Sequence, residues 1–242
     1  MINESDGLGT DLLSIVIPVW DGAKFLGSAV EATLEYVDSL DEDAEVIVVS
    51  DGCTDNPQEV MAHLSHRDKR AKFIILDKHR GKGAAVRAGV LAAKGDFVAM
   101  LDVDLSARPE MISVLQKNME PEVSIVCGSR SIPGADLPVP QKWHRRCAGY
   151  VFSSLVHFFS GIKVQDSQCG CKLFRSEHLK PIFVGLKTEG FAFDVEVLLK
   201  AEQSGLVVRE VPITWSDSGE SKVRFIRDGM KMLWTVLTLR RR

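Results

Sequence analysis

The sequence predicts an α/β fold: a Rossmann-like, mostly parallel sheet with helices on both faces. Three observations carry that expectation. Short runs rich in Val, Ile and Leu alternate with segments of helical period across residues 12–130, the pattern of repeated βα units. Those runs empty into turns of Asp, Gly and Ser, and in open α/β sheets ligands bind outside the carboxyl ends of the strands. The chain has 242 residues, 45% apolar and 26% charged, enough for one domain with a sizeable core. A net charge of −3 gives no bulk basic field for nucleic acid. No uninterrupted apolar run reaches the roughly 18 residues that a membrane span needs.

Residues 1–11 are acidic and polar, a loose leader rather than a secretory signal. Residues 12–19 (LLSIVIPV) form a first buried strand, stopped near Pro18. Residues 23–36 have helical spacing at Phe25, Ala29, Ala32 and Tyr36. Residues 45–50 form a second strand that empties into Asp51-Gly52-Cys53-Thr54-Asp55, whose acids can cap the helix following Pro57. Residues 71–76 form a third. His79-Arg80-Gly81-Lys82-Gly83 then opens a helix with Val86, Val90 and Ala93 on its apolar stripe. Gly81 and Gly83 permit close backbone approach, a helix N-terminus favours anions, and Lys82 and Arg87 add positive charge. The spacing is not that of a P-loop, and a plain helix start fits these residues equally well.

The fourth strand, residues 98–101, delivers Asp102 and Asp104 with only Val103 between them. Two carboxylates at a strand end suit Mg²⁺ or Mn²⁺ held mostly by phosphates and water. Alone, the same pair also fits a solvated acidic turn before Pro109. A fifth strand, residues 123–127, ends in Gly128-Ser129-Arg130.

The second half changes character. Residues 132–140 hold three prolines and predict a mobile loop. Residues 143–160 form a helix with an apolar body (Val151, Phe152, Leu155, Val156, Phe158, Phe159) and cations at its start (Lys142, His144, Arg145, Arg146). It suits a core helix or one lying at a membrane interface. Residues 166–174 are a polar loop running into a short strand. Residues 191–199 set Asp194 and Glu196 two apart among apolar neighbours, and buried acids need partners or serve chemistry. Residues 206–214 form a late strand. Residues 223–239 form an amphipathic helix with Ile226, Met230, Leu233 and Leu237 on one stripe, followed by Arg240, Arg241 and Arg242. Five scattered cysteines predict reduced thiols, and Cys169-x-Cys171 lacks the second pair a zinc site needs.

Eight segments in order carry a resemblance: IPV at 17–19, VVSDGCTD at 48–55, RGKGAAVRAG at 80–89, DVD at 102–104, GSR at 128–130, DSQCGCKLF at 166–174, FAFDVEVL at 191–198 and GESKV at 219–223. Together they resemble the family-2 inverting glycosyltransferases of the GT-A fold, and within them the dolichyl- or polyprenyl-phosphate sugar synthases. DSQCGCKLF and FAFDVEVL look more like the glucosyltransferases than the mannose synthases. Ser106 stands where many mannose synthases have Gln, and Trp20-Asp21-Gly22 replaces the family's usual Asn-Glu pair.

The resemblance implies transfer of glucose from UDP-glucose to a dolichyl or polyprenyl phosphate. Mannose from GDP-mannose, a soluble acceptor and a silent nucleotide-sugar-binding protein are the alternatives. It implies Mg²⁺ or Mn²⁺ on Asp102 and Asp104. It implies nucleotide-sugar contacts from Pro18, Asp21, Asp51, Gly81, Lys82, Arg87, Asp102 and Val103. Acceptor contacts would come from Arg130, Arg145, Arg146, Asp166, Gln168, Ser221 and Lys222, with Asp102, Asp104, Arg130 and Lys222 carrying the chemistry. The single domain would span 12–222, with a nucleotide-sugar half at 12–130 and an acceptor half at 131–222, followed by the helix and basic tail at 223–242. The eukaryotic glucosyl enzymes usually carry an N-terminal membrane anchor, which this sequence is expected to lack. The protein is therefore expected in the cytoplasm, peripheral at the cytoplasmic face of a membrane and without a nucleic-acid partner, with homo-oligomerisation left open.

Overall fold

The computed structural model describes residues 12–40, 42–139, 143–219 and 225–239. Seven strands form one sheet in the order β3-β2-β1-β4-β6-β5-β7. The strands are β1 Leu13–Val19, β2 Ala44–Asp51, β3 Ala71–Leu76, β4 Phe97–Met100, β5 Val123–Ser129, β6 Lys172–Arg175 and β7 Val207–Pro212. All pairings are parallel except those of β6, which runs antiparallel to both β4 and β5. The expected mostly parallel sheet is present, and this one reversed strand decides how the site is built.

Alternation along β1 sets the two faces. Ile15 and Ile17 enter one core with α1 (Ala23–Asp38), α2 (Gln58–Arg67) and α4 (Met111–Gln116). Val16 enters the other with α3 (Lys82–Ala92), α5 (Trp143–Ser160), α6 (Ser176–Val184), α7 (Phe193–Gln203) and α8 (Phe225–Leu239). Strands covered on both faces are continuous apolar runs, which is why β1 and β2 were legible. The short α4 and the Pro181-containing α6 go beyond the sequence expectations.

Connections from β1 run to β2 on one side, while β4 lies on the other, so the crevice between β1 and β4 is a topological switch point. Pairing between β1 and β4 stops at Val16–Met100, and Leu101 N–H donates to the Val16 carbonyl as the strands part. Pro18, which has no N–H to offer, stands just beyond that fork while still opposite Val49 of β2.

Two expectations are corrected. The proline-rich segment 132–139 is tied to the chain after β7: Asp136 bridges Thr214, Trp215 N–H donates to the Asp136 carbonyl and Asp217 N–H to that of Val139. Its backbone groups find partners, so it is a fixed strap rather than a mobile loop. In α8 the buried side is Met232 and Val236, whereas Met230 and Leu237 are exposed together with Trp234. The helix therefore has two apolar sides, one covered and one not; Ile226 lies outside the described side chains.

Candidate active site

The site forms at the carboxyl ends of β4 and β5. Asp102 follows β4, and its Oδ1 pairs with Lys82 Nζ at 2.6 Å. Burial works against the Lys82 charge, but Asp102 and Asp194 outweigh it and hold its pKa above the ordinary lysine value. Asp104 is held differently. Its Oδ1 accepts Ser106 N–H at 3.1 Å, and its Oδ2 accepts the hydroxyls of Ser106 at 3.0 Å and Ser218 at 2.9 Å. Leu105 between them has φ 48°, an uncommon conformation for leucine, and its N–H closes the turn onto the Asp102 carbonyl. Val103 is half-buried against Gly22.

Arg130, at the end of β5, clamps Asp166: Nε to Oδ2 at 2.7 Å, Nη2 to Oδ1 at 2.7 Å, and its own backbone N–H to Oδ2 at 3.0 Å. The guanidinium also stacks over Trp215. Burial raises the cost of ionising Asp166, yet Arg130 overcomes it and holds the carboxyl below the usual carboxylate range. Beside it, the Gln168 Nε2 is buried without a partner among the described residues.

Loop 79–81 lies across the crevice from Asp102. Asp51, 1% exposed at the end of β2, accepts the backbone N–H of Arg80 and Gly81 at 2.8 Å each, and His79 Nδ1 lies 2.8 Å from its Oδ2. His79 stacks on Trp20, forming an aromatic wall at the mouth of the crevice. Asp21 Oδ1 accepts Thr54 N–H at 2.6 Å, clasping the β1 and β2 loops together.

Gly81 and Gly83 bring the start of α3 close against segment 188–193. A Cβ on Gly81 would lie 2.5 Å from the Glu189 carbonyl oxygen, and one on Gly83 2.6 Å from both Phe193 Cβ and the Thr188 carbonyl. Ala84 N–H, in the first turn of α3, donates to the Glu189 carbonyl at 3.1 Å. The glycines serve contact between α3 and segment 188–193, and Lys82 carries a charge from the start of α3 to Asp102. Arg87 turns away, donating to the Val184 carbonyl at the end of α6. That bond satisfies a helix-terminal carbonyl.

The remaining expected site residues are not brought in by the described structure. Ser221 and Lys222 lie outside the described residues, four or fewer positions beyond Ser218. The side chains of Arg145 and Arg146, Lys142, and Arg240–Arg242 lie outside them too. Of Asp194 and Glu196, each has found partners. Asp194 Oδ1 accepts Lys172 Nζ at 2.7 Å; Glu196 accepts the N–H of Lys187 and Thr188 and pairs with Lys200. Lys172, Gly170 and the Trp20–His79 pair were missed. A lysine inside an apolar run signals exposure, and a lone glycine gives no hint of its contact.

Donor chemistry decides whether a divalent ion fits. Asp102 and Asp104 supply hard carboxylate oxygens, and two such groups suit Mg²⁺ or Mn²⁺ carried by phosphate oxygens and water. A second cluster, Asp21, Cys53 and Asp55, brings its ligand atoms within 4.8 Å of one another. Its atoms are already engaged: Asp55 Oδ2 accepts Ala23 N–H, and Cys53 Sγ lies between Asp21 N–H and the Val19 carbonyl. Cys127 and Cys169 are buried thiols whose pKa burial pushes to about 12 and about 11, so neither offers a thiolate.

A mixed α/β sheet with paired acids, a lysine and a clamped arginine at its switch-point end defines a GT-A-type transferase. The chain belongs to glycosyl transferase family 2, whose model matches residues 14–183. It is 31% identical to the glycosyltransferase AglD of Haloferax volcanii over 95% of this chain, and spans 38% of that protein's length. It is 30% identical to the human dolichyl-phosphate β-glucosyltransferase, over 88% of this chain and 70% of that one. Glucosyl-3-phosphoglycerate synthase of Mycobacterium tuberculosis, solved with Mn²⁺, UDP and glucosyl-3-phosphoglycerate, shares the fold. The TM-score is 0.70 at 16% identity, covering 95% of this chain and 80% of the other. Among the described residues no helix is long and apolar enough to cross a membrane.

Proposed function

We propose that this protein transfers glucose from UDP-glucose to a dolichyl or polyprenyl phosphate, with inversion at the sugar carbon. The observation that carries the reading is the Lys82–Asp102 pair at the β1–β4 switch point, with Asp104 two residues on in the same turn and the Arg130–Asp166 clamp at the end of β5. In the reaction a phosphate oxygen of the lipid attacks the anomeric carbon. The new carbon–oxygen bond forms as the bond to the diphosphate breaks, and UDP departs with the electron pair. A lipid phosphate is ionised at neutral pH, so no general base is required.

Asp102 and Asp104 would hold the divalent ion, which masks charge developing on the leaving diphosphate. Lys82 adds a fixed positive charge on the same side. Asp51 sets the loop that forms the nucleotide wall, and Trp20 and His79 give that wall an aromatic face suited to a base. Arg130, oriented by Asp166, and the Gln168 Nε2, without a partner among the described residues, would face the acceptor phosphate, with Lys222 and Ser221 completing that half. The resemblance to dolichyl-phosphate β-glucosyltransferases supports glucose and a lipid acceptor.

The protein meets its lipid peripherally, through the exposed apolar sides of α5 and α8. Incubation with a panel of nucleotide sugars and a polyprenyl phosphate, with products read by mass, tests the assignment. The expected product is the polyprenyl-phosphate hexose from UDP-glucose. Faster turnover of GDP-mannose at matched concentration overturns the donor, and product confined to a water-soluble acceptor overturns the lipid.

A further inference from the structure

We propose that the buried Lys172–Asp194 ion pair is a positioning pair for the donor-diphosphate site, fixing Lys82 through segment 188–193 and Asp102 through Gly170. This inference rests on reading that site as the seat of a diphosphate.

Lys172 opens β6, level with Met100 of β4 and Cys127 of β5. It is 1% exposed. Because β6 alone runs antiparallel, its first residue enters the sheet from the carboxyl end of β4, where the site lies. An ammonium there needs partners, and it has two: the Cys169 carbonyl at 2.6 Å and Asp194 Oδ1 at 2.7 Å. Such a pair is weak evidence for stability, since apolar side chains of similar volume commonly fill such a space equally well. What it touches is more informative.

On the Asp194 side, segment 188–193 leads directly into α7 and is the surface on which Gly81 and Gly83 dock. Lys82 lies between those two glycines. Glu196 grips the start of the same segment through the N–H groups of Lys187 and Thr188. On the Lys172 side, Gly170 lies two residues before the lysine. A Cβ there would fall 1.9 Å from Asp102 Oδ2. The Asp102 carboxylate therefore rests on the backbone of the loop that Lys172 anchors.

The charges alternate from Asp102 to Lys82 to Asp194 to Lys172. Asp194 attracts Lys82 as well as Lys172, its Oδ1 is taken by Lys172, and Lys82 pairs with Asp102. Removing the pair leaves Lys82 and Asp102 present but unsupported.

The test compares wild type with Lys172→Met/Asp194→Asn, which removes both charges without stranding either. Binding of Mn²⁺–pyrophosphate is measured by calorimetry, the EPR spectrum of bound Mn²⁺ is recorded, and the melting temperature is followed in parallel. Expected is a melting temperature near wild type with affinity weakened roughly 10- to 100-fold, the scale of losing a ligand-orienting partner. Wild-type affinity and spectrum in the folded double variant overturn the inference and leave the pair structural. If that variant does not fold, Asp194→Glu, which keeps the charge but shifts the carboxylate by one methylene, takes its place and is judged by the same affinity. Failure of wild type itself to bind Mn²⁺–pyrophosphate overturns the diphosphate reading first, and the inference with it.

Discussion

Asp104 is fixed by two hydroxyls and a backbone N–H, which orient a carboxylate without cancelling its charge. Asp102, by contrast, shares its charge with Lys82. This difference makes Asp104→Ala the sharper test of the metal proposal. The variant is expected to stay folded by circular dichroism and to lose on the order of 100- to 1,000-fold in turnover, the typical loss for one electrostatic contact to the transition state. Near-normal turnover in excess EDTA would remove the ion from the scheme. Gly170→Ala probes the neighbouring carboxylate sterically: the added methyl displaces Asp102, and turnover is expected to fall at least roughly tenfold. An alanine enzyme with full turnover would show that the Asp102 position is not critical. The placement of Asp102 and Asp104 just beyond β4 was legible because it is local to one strand end. The close approach that Gly81 and Gly83 allow was legible, but its partner, segment 188–193, was not, because it is remote in sequence and no local pattern announces it. The bond from Arg87 to the end of α6 was hidden for the same reason.

Elements show the same division. The strands up to β5 and the helices α1 to α3 were legible from local pattern, whereas the six-residue α4 was not, and the four-residue β6 offers too few positions to display its direction. Its reversal matters because it brings Gly170 and Lys172 to the site end of the sheet. The loop before β6 is tied to the end of β5 by Arg130 and Asp166, and this tie has a pH signature. The Asp166 pKa is lower folded than unfolded, so its contribution to stability is complete above the unfolded carboxyl range near about pH 4. That contribution is lost as pH falls through the lower, folded pKa. Asp166→Asn should therefore lower the melting temperature clearly at pH 7, and the gap to wild type should close as pH drops below about 4. A gap that stays constant across the acid limb would mean that the Asp166 charge is not what stabilises this junction.

At the scale of the molecule, the sheet places the charged site at one end while α5 and α8, packed against each other, carry uncovered apolar groups. Strand order and the switch point could not be read from sequence, since they depend on which strands pair. The apolar character of both helices could be read, but which side stayed uncovered could not. On α8, Met230 and Trp234 are each 69% exposed and Leu237 follows one turn later; on α5, Phe158 is 77% exposed and Leu155 precedes it. Spacings of three and four residues put each set on one side of its helix. Apolar groups raised on a helix pair suit shallow entry into the headgroup boundary, where Trp is favoured. Full burial of one such side chain is worth about 1.5–3 kcal/mol, so shallow entry of a few gives reversible attachment. Phe158→Ser and Trp234→Ser each remove an exposed group without opening the core around Val156, Met232 and Val236. Each should weaken sedimentation with phospholipid vesicles roughly tenfold, leave the melting temperature unchanged, and slow transfer to a long-chain polyprenyl phosphate. Transfer to a short, water-soluble prenyl phosphate should be unaffected. Vesicle binding that survives both substitutions would take this surface out of the membrane contact, whatever the acceptor proves to be.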